Sequence, residues 1–198
     1  MSRYLLTQSL LGSWLYIYNA YEGYEDKAYE SFLKTLNREP IEQTDAMLDG
    51  INFENMVNAA ADGADAKTEC VKTVADIVRG GQKQVGLYKD KTINGIDYLL
   101  HGKLDYLKAG IIYDIKFSGS YETGKYNESI QHPFYFELCP EAKQFKYLIS
   151  DGNDVFTETY FQNETPSIDR TVMKFMQFLS QCKLTEIYFE KWEAQGGK

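Results

Sequence analysis

The period of the hydrophobic pattern changes once along this chain, near Gly80 and Gly81, and this change constrains the fold more than any other feature. Before it, apolar residues recur every three or four positions, which is typical of amphipathic helices. After it, β-branched and aromatic residues alternate or cluster with period two, which is typical of strands. Residues 1–80 are therefore predicted to be mainly helical, and residues 82–162 to form a sheet with one inserted helix.

Individual elements follow from the same patterns and from helix-capping and turn residues. Four N-terminal helices are predicted, at 7–20, 25–37, from 44 or 45 to 63, and within 66–81. Three consecutive antiparallel strands are predicted within 82–90, 95–108 and 110–118. A helix within 128–139, a hairpin at 143–162 that turns at 151–154, and a helical tail at 166–195 complete the prediction.

Length and composition limit the classes of function. A chain of 198 residues suits one well-cored domain, and no apolar run approaches the roughly 20 residues that span a bilayer. We expect a cytoplasmic protein without membrane association, because the N-terminus shows no signal cleavage pattern. Three cysteines without CxxC pairs are expected to be reduced, buried thiols. A net charge of −8 argues against binding nucleic acid over the whole surface, so any such contact must be local or assisted by metal ions.

The strand "YDIKFS" carries the residues most suggestive of chemistry. Side chains of a strand alternate between faces, so Asp114 and Lys116 are expected to share one face. A hairpin at "KAG" would bring Asp105 of the preceding strand across from Asp114. Converging carboxylates repel one another unless a cation lies between them, and hard oxygen ligands suit Mg²⁺ or Mn²⁺. The alternative is an ordinary surface pair of Asp114 and Lys116 on an exposed sheet face.

Four ordered motifs make the chain resemble the PD-(D/E)XK nuclease superfamily, within it the RecB-like and phage exonuclease-like branch. The resemblance covers about 85 residues between Gly50 and Tyr135. The matching residues are Glu54 in "GINFENMV", Asp105 in "GKLDYL", Asp114 and Lys116 in "YDIKFS", and Gln131 and Tyr135 in "QHPFY".

The resemblance implies a fold and a reaction. The fold would be a single α/β (α+β) domain over residues 1–198, with a restriction-endonuclease-like core, a mixed β-sheet flanked by helices, a helical N-terminal region and a helical C-terminal tail. The reaction would be metal-dependent hydrolysis of DNA phosphodiester bonds, exonuclease-like, in phage or prophage DNA processing, recombination or repair. The host cell would be bacterial if a phage encodes the chain.

The resemblance also implies a role for each matching residue. Glu54, Asp105, Asp114 and the backbone carbonyl of Ile115 would hold Mg²⁺ or Mn²⁺. Lys116 would orient or activate the attacking water.

Supporting roles are expected nearby. Gln131 and Tyr135, four residues apart on one helix face, would contact the DNA strand or brace the metal site. Lys103 shares the strand face of Asp105 and is a candidate phosphate contact, as is Lys125 in the loop before Gln131. His101 is either adjacent to the metal or an ordinary polar strand residue. His132, next to Gln131, either contacts substrate or is an exposed helix residue.

Some features depart from the branch, and some questions stay open. Many relatives have histidine at the position of Glu54, and several hold an iron–sulfur cluster whose cysteine spacing is absent here, so we expect no cluster. A homo-oligomer and a recombination or single-strand-binding partner protein are both compatible with the resemblance. The alternative function is a catalytically inactive module of the same fold that binds DNA ends or protein. A third alternative is an unrelated α+β interaction protein.

Overall fold

The structure is a computed structural model that describes residues 2–194. Seven α-helices lie in this range: α1 (Gln8–Asn19), α2 (Glu25–Leu36), α3 (Asp45–Ala61), α4 (Glu69–Val78), α5 (Gln131–Leu138), α6 (Asp169–Gln181) and α7 (Thr185–Lys191). Six strands accompany them: β1 (Tyr4–Thr7), β2 (Gln82–Ile93), β3 (Ile96–Lys108), β4 (Ile111–Phe117), β5 (Gln144–Ser150) and β6 (Val155–Phe161). A short 3₁₀ turn occupies Gln162–Glu164.

The six strands form one mixed sheet centred on β3. β2 pairs antiparallel along almost the whole of β3. On the other side of β3, β1 pairs parallel with Tyr98–His101, and β4 pairs antiparallel with only Tyr106–Lys108. β5 then pairs parallel with β4, and β6 pairs antiparallel with β5. β3 therefore separates from β4 on the His101 side of Tyr106.

Helices cover both faces of this sheet. The larger core lies between one face and helices α1, α2, α5, α6 and α7. A second cluster joins α3 and α4 to the opposite face through Tyr106, Tyr113, Ile115 and Leu148. The predicted α/β class, a mixed sheet flanked by helices with helical N-terminal and C-terminal regions, is confirmed.

Local sequence signals explain where several elements begin. Thr7, Thr44 and Thr68 cap α1, α3 and α4, since each hydroxyl accepts the backbone N–H three residues later. Pro133 lies in the first turn of α5, where its missing N–H is tolerated. The hairpin of β5 and β6 turns at residues 151–154, as predicted.

Three details differ from the sequence predictions. The mainly helical region 1–80 also contributes β1 to the sheet. The helical tail is broken at Lys183, whose φ of 58° lies in the left-handed region, so it forms two helices. Cys182 is exposed, whereas Cys70 and Cys139 are buried as expected.

The predicted tail end at residue 195 and the glycines after it lie outside the described residues. No helix within residues 2–194 is long and apolar enough to cross a membrane.

Candidate active site

The separation of β3 from β4 creates the candidate site. The regular alternation of faces along β3 is interrupted at Asp105: Leu104 lies in the larger core, Tyr106 in the opposite cluster, and Leu107 packs against the larger core again. The Asp105 carboxylate takes the place of the β3 backbone carbonyl that would continue the pairing with β4, since its Oδ2 accepts the backbone N–H of Ile115 at 2.8 Å. The side chain of Asp105 thereby lies against β4, beside Asp114.

Asp114 and Lys116 share one face of β4, as predicted from their two-residue spacing. Lys116 Nζ lies 2.6 Å from Asp114 Oδ2 in an ion pair. Gln131, at the start of α5, donates a hydrogen bond from Nε2 to Asp114 Oδ1. Asp114 and Gln131 are buried, whereas Lys116 keeps partial contact with solvent. The alternative of an ordinary surface pair on an exposed sheet face is therefore wrong.

Burial and the neighbouring charges together shift the pKa values of the two carboxylates and of Lys116 in this cluster. Burial and the neighbouring Asp114 raise the pKa of Asp105 to about 8. Burial also raises the pKa of Asp114, although Lys116 and Gln131 oppose that change. For Lys116, burial alone would lower the pKa, but the two carboxylates outweigh it and raise the pKa above its ordinary value. The cluster thus holds two carboxylates that favour a cation between or beside them.

Glu54 approaches the site from α3 but faces a different partner. Its Oε1 accepts a hydrogen bond from Gln84 Nε2 at 2.6 Å. Gln84 lies on β2 between the residues that pair with Leu104 and Tyr106, and it has a φ of 55°, an unusual left-handed conformation for a residue other than glycine. Glu54 is near enough to contribute to the raised pKa of Asp105. Sequence reasoning missed Gln84, because nothing in its local pattern marks a left-handed residue inside a strand.

The remaining predicted residues lie around this cluster with different contacts. Tyr135 is buried and its hydroxyl donates to the backbone carbonyl of Lys103 at 2.9 Å, while the Lys103 side chain is exposed. Lys125 is exposed, and its Nζ donates to Ser118 Oγ at 2.7 Å, just beyond the end of β4. Gly102, the glycine of the "GKLD" motif, lies directly beneath α5: a Cβ there would come within 2.6 Å of Tyr135 Cε1.

The two histidines lie outside this cluster of contacts. His101 stacks on the exposed ring of Tyr88, with ring centroids 4.3 Å apart. His132 is buried and stacks on Tyr160 with ring centroids 4.0 Å apart, so the alternative of an exposed helix residue is wrong. Burial lowers the pKa of His132 to about 4. Its ring serves the packing of α5 on β5 and β6.

The donor set fits a hard divalent cation. Asp114 Oδ2 is buried and accepts no aligned hydrogen bond within residues 2–194, although Lys116 supplies a counter-charge. Ile115 directs its N–H toward Asp105, and its carbonyl points to the same edge of β4 because both groups of a strand residue share an edge. In the described part of the chain, no three His, Cys, Asp or Glu side chains gather closely enough to ligate one ion, so Glu54 does not join Asp105 and Asp114 in this arrangement. Mg²⁺ is often held by one or two carboxylates together with substrate phosphates, so two suffice.

Comparisons with known proteins give a likeness of fold. No family model matches the chain, and no curated protein matches its sequence. The crystal structure of SSO0001 superposes with a TM-score of 0.55 and 13% identity, covering 96% of this chain and 86% of that chain. The crystal structure of LHK-Exo in complex with dAMP superposes with a TM-score of 0.44 and 17% identity, covering 94% and 91% respectively. At such identities the likeness to SSO0001 concerns the fold alone, and the weaker one to LHK-Exo adds no argument.

Proposed function

We propose that this chain is a Mg²⁺- or Mn²⁺-dependent deoxyribonuclease of the PD-(D/E)XK type, exonuclease-like in action and built as a single domain. The observation that supports it most is the meeting of Asp105, Asp114 and Lys116 where β3 and β4 separate. The order of the motifs along the chain supports it as well. A role in phage or prophage DNA processing, recombination or repair, in the cytoplasm and with a homo-oligomer or partner protein, belongs to the same proposal.

The residues divide the work according to their chemistry. Asp105, Asp114 and the carbonyl of Ile115 would hold the metal ion. A bound Mg²⁺ or Mn²⁺ would supply Lewis-acid polarisation of the scissile phosphate and a water molecule of lowered pKa. Lys116 donates hydrogen bonds that orient this water and neutralise charge on the phosphate. Gln131 fixes the rotamer of Asp114 through its amide.

Glu54 has a secondary role in this proposal. Its carboxylate would help to hold the ion in exchange for the hydrogen bond that it now accepts from Gln84. Tyr135 braces β3 through the Lys103 carbonyl, and the ammonium groups of Lys103 and Lys125 contact DNA phosphates. Such local cations, together with the metal, offset the overall charge of −8, which otherwise repels a polyanion.

Cleavage of labelled linear and circular DNA tests the proposal, with Mg²⁺, Mn²⁺, Ca²⁺ or EDTA. We expect cleavage in Mg²⁺ or Mn²⁺, none in EDTA, and a loss of at least about 100-fold in Asp114→Asn and Lys116→Ala. Asp26→Asn and Lys34→Ala make the same charge changes on α2 and serve as matched controls. Activity that persists in EDTA, or that survives in both site variants, would contradict the mechanism. A parent protein that binds DNA ends without cutting any substrate would favour the inactive binding module instead.

A further inference from the structure

The loop at residues 118–130 links the two elements that build the site. It leaves β4 just after Lys116 and enters α5 at Gln131. It contains no helix or strand; a backbone hydrogen bond from Ser118 to Ser150 holds its start, and beyond that point side-chain groups tie it to the rest of the molecule. These contacts therefore determine which loop residues lie beside Lys116.

A buried carboxylate on β6 supplies two of these contacts directly. Glu158 is only 8% exposed, and its two oxygens accept three hydrogen bonds. Two of the donors belong to the loop: the Tyr121 hydroxyl and the Gly124 N–H, each 2.8 Å from Oε1. The third donor is the Tyr160 hydroxyl, which lies 2.6 Å from Oε2. The same hydroxyl lies 2.9 Å from the amide oxygen of Asn127 in the loop. Burial alone would raise the pKa of Glu158, but these donors outweigh it and lower the pKa, so the group stays ionised near neutral pH.

These ties fix the segment that faces the site. Tyr126 stacks on Tyr147 with ring centroids 4.4 Å apart, and its hydroxyl lies near the Lys116 ammonium. Lys125 therefore lies between two tethered residues, Gly124 and Tyr126. Its ammonium is exposed and anchored to Ser118 Oγ, two residues beyond Lys116.

We propose that Glu158 is a positioning residue for the substrate strand. It holds the 118–130 loop so that Lys125 and Tyr126 form the outer wall of a groove over Lys116, and a single phosphodiester strand runs between this wall and the two carboxylates. Lys125 contacts a phosphate next to the scissile one. This inference rests on the proposed nuclease function and identifies the ligand of the loop as a polyanionic DNA strand.

The first test measures DNA affinity without cleavage. A fluorescently labelled single-stranded oligonucleotide is titrated in Ca²⁺ against the parent, Glu158→Ala, Glu158→Gln, Lys125→Ala and the Lys125→Ala/Glu158→Ala double variant. We expect Glu158→Ala and Lys125→Ala each to weaken binding about tenfold, as loss of one phosphate contact does. The double variant should lose no more than either single variant, since Glu158 acts through Lys125. The proposal is overturned if Glu158→Ala binds DNA as tightly as the parent. It is also overturned if the losses of the two single variants multiply in the double variant, or if no variant binds DNA.

Glu158→Gln is the conservative control. Its carbonyl oxygen accepts from both loop donors, and its NH₂ group donates to the Tyr160 hydroxyl, which can reverse its role. Its affinity should lie within about threefold of the parent, because every hydrogen bond is kept. A loss equal to that of Glu158→Ala would instead overturn the geometric argument. If Glu158→Ala fails to fold, Tyr121→Phe removes one loop donor, keeps the ring on Phe156, and should weaken binding in the same direction.

The second test separates this inference from the proposed function. In Mg²⁺, Glu158→Ala should raise KM for DNA about tenfold with kcat within about threefold, because the chemical groups stay in place. Trypsin should also cut after Lys125 sooner in Glu158→Ala than in Glu158→Gln. If the parent never cleaves DNA, the nuclease proposal fails, while the affinity series still decides the role of Glu158. If the parent cleaves but Glu158→Ala matches it in affinity, KM and trypsin sensitivity, only the positioning role fails.

Discussion

Replacing Gly102 by alanine tests how closely α5 must approach β3 for the site to form. The new Cβ would lie 2.6 Å from Tyr135 Cε1 and 2.8 Å from Leu138 Cδ1. Ordinary carbon contacts are about 3.5–4.0 Å, so an overlap of about 1 Å must be relieved. Tyr135 cannot swing aside easily, since its hydroxyl is bonded to the Lys103 carbonyl and its ring stacks on Phe145. The helix must therefore move, and Gln131 with it.

The magnitude follows from two contributions. Overpacking a core typically costs about 1–3 kcal/mol, and loss of the Tyr135 hydrogen bond adds about 1 kcal/mol. For a total of about 3 kcal/mol, a chain of this length should melt about 6–12 °C lower. Thermal unfolding followed by circular dichroism measures this shift, and DNA cleavage should fall as well because Gln131 leaves Asp114.

Gly86→Ala is the matched control for that substitution. Gly86 lies on the neighbouring strand β2, paired with Lys103, and a Cβ there meets nothing within 4 Å. We expect the free energy of unfolding of Gly86→Ala to stay within about 0.5 kcal/mol of the parent value. If Gly102→Ala melts within about 1 °C of the parent, or if both alanines destabilise the chain equally, the argument from close approach is refuted.

Two further predictions concern titration. Mn²⁺ should raise the melting temperature more at about pH 8.5 than at about pH 6, because burial and Asp114 raise the pKa of Asp105 to about 8 and a bound metal must displace that proton. In Asp105→Asn, Mn²⁺ should no longer raise the melting temperature. In the parent, an equal rise at both pH values would contradict the reasoning. Burial lowers the pKa of His132 to about 4, so the stability its neutral ring contributes is complete above about pH 6.5 and declines toward pH 4 by up to about 3 kcal/mol. In urea unfolding, His132→Phe should show a shallower decline over this range, and an unchanged decline would refute the assignment.

The regular elements were predictable because their signals are local. The period of apolar residues predicted α1, α3 and α4 with boundaries within a few residues of those observed. β1 was not predicted, since it has only four residues and pairs with β3 more than 90 positions away, without a local mark in the sequence. The burial of His132 was missed for a related reason: six of the eight residues of α5 are buried, so this helix has no polar stripe to identify a solvent face.

The site was predictable only in part. The spacing of Asp114 and Lys116 predicted a shared face, and the hairpin predicted the approach of Asp105. The hydrogen bond from Ile115 to Asp105, the left-handed Gln84 and the buried Glu158 depend on how distant strands separate or meet. Period-two patterns describe which face a side chain takes, but they carry no information on where a ladder ends.

The end of the β3–β4 ladder connects the sheet with the proposed chemistry. If pairing continued past Tyr106 and Tyr113, Ile115 would donate its N–H to a main-chain carbonyl of β3, and the edge of β4 that now faces the Asp105 carboxylate would be closed. Asp105 prevents this by accepting that N–H itself, which leaves its second oxygen and the Ile115 carbonyl at the open edge. One carboxylate thus satisfies a buried backbone donor and keeps a ligand position free. The arrangement raises the pKa of Asp105, a destabilising effect at neutral pH that a bound divalent cation would offset.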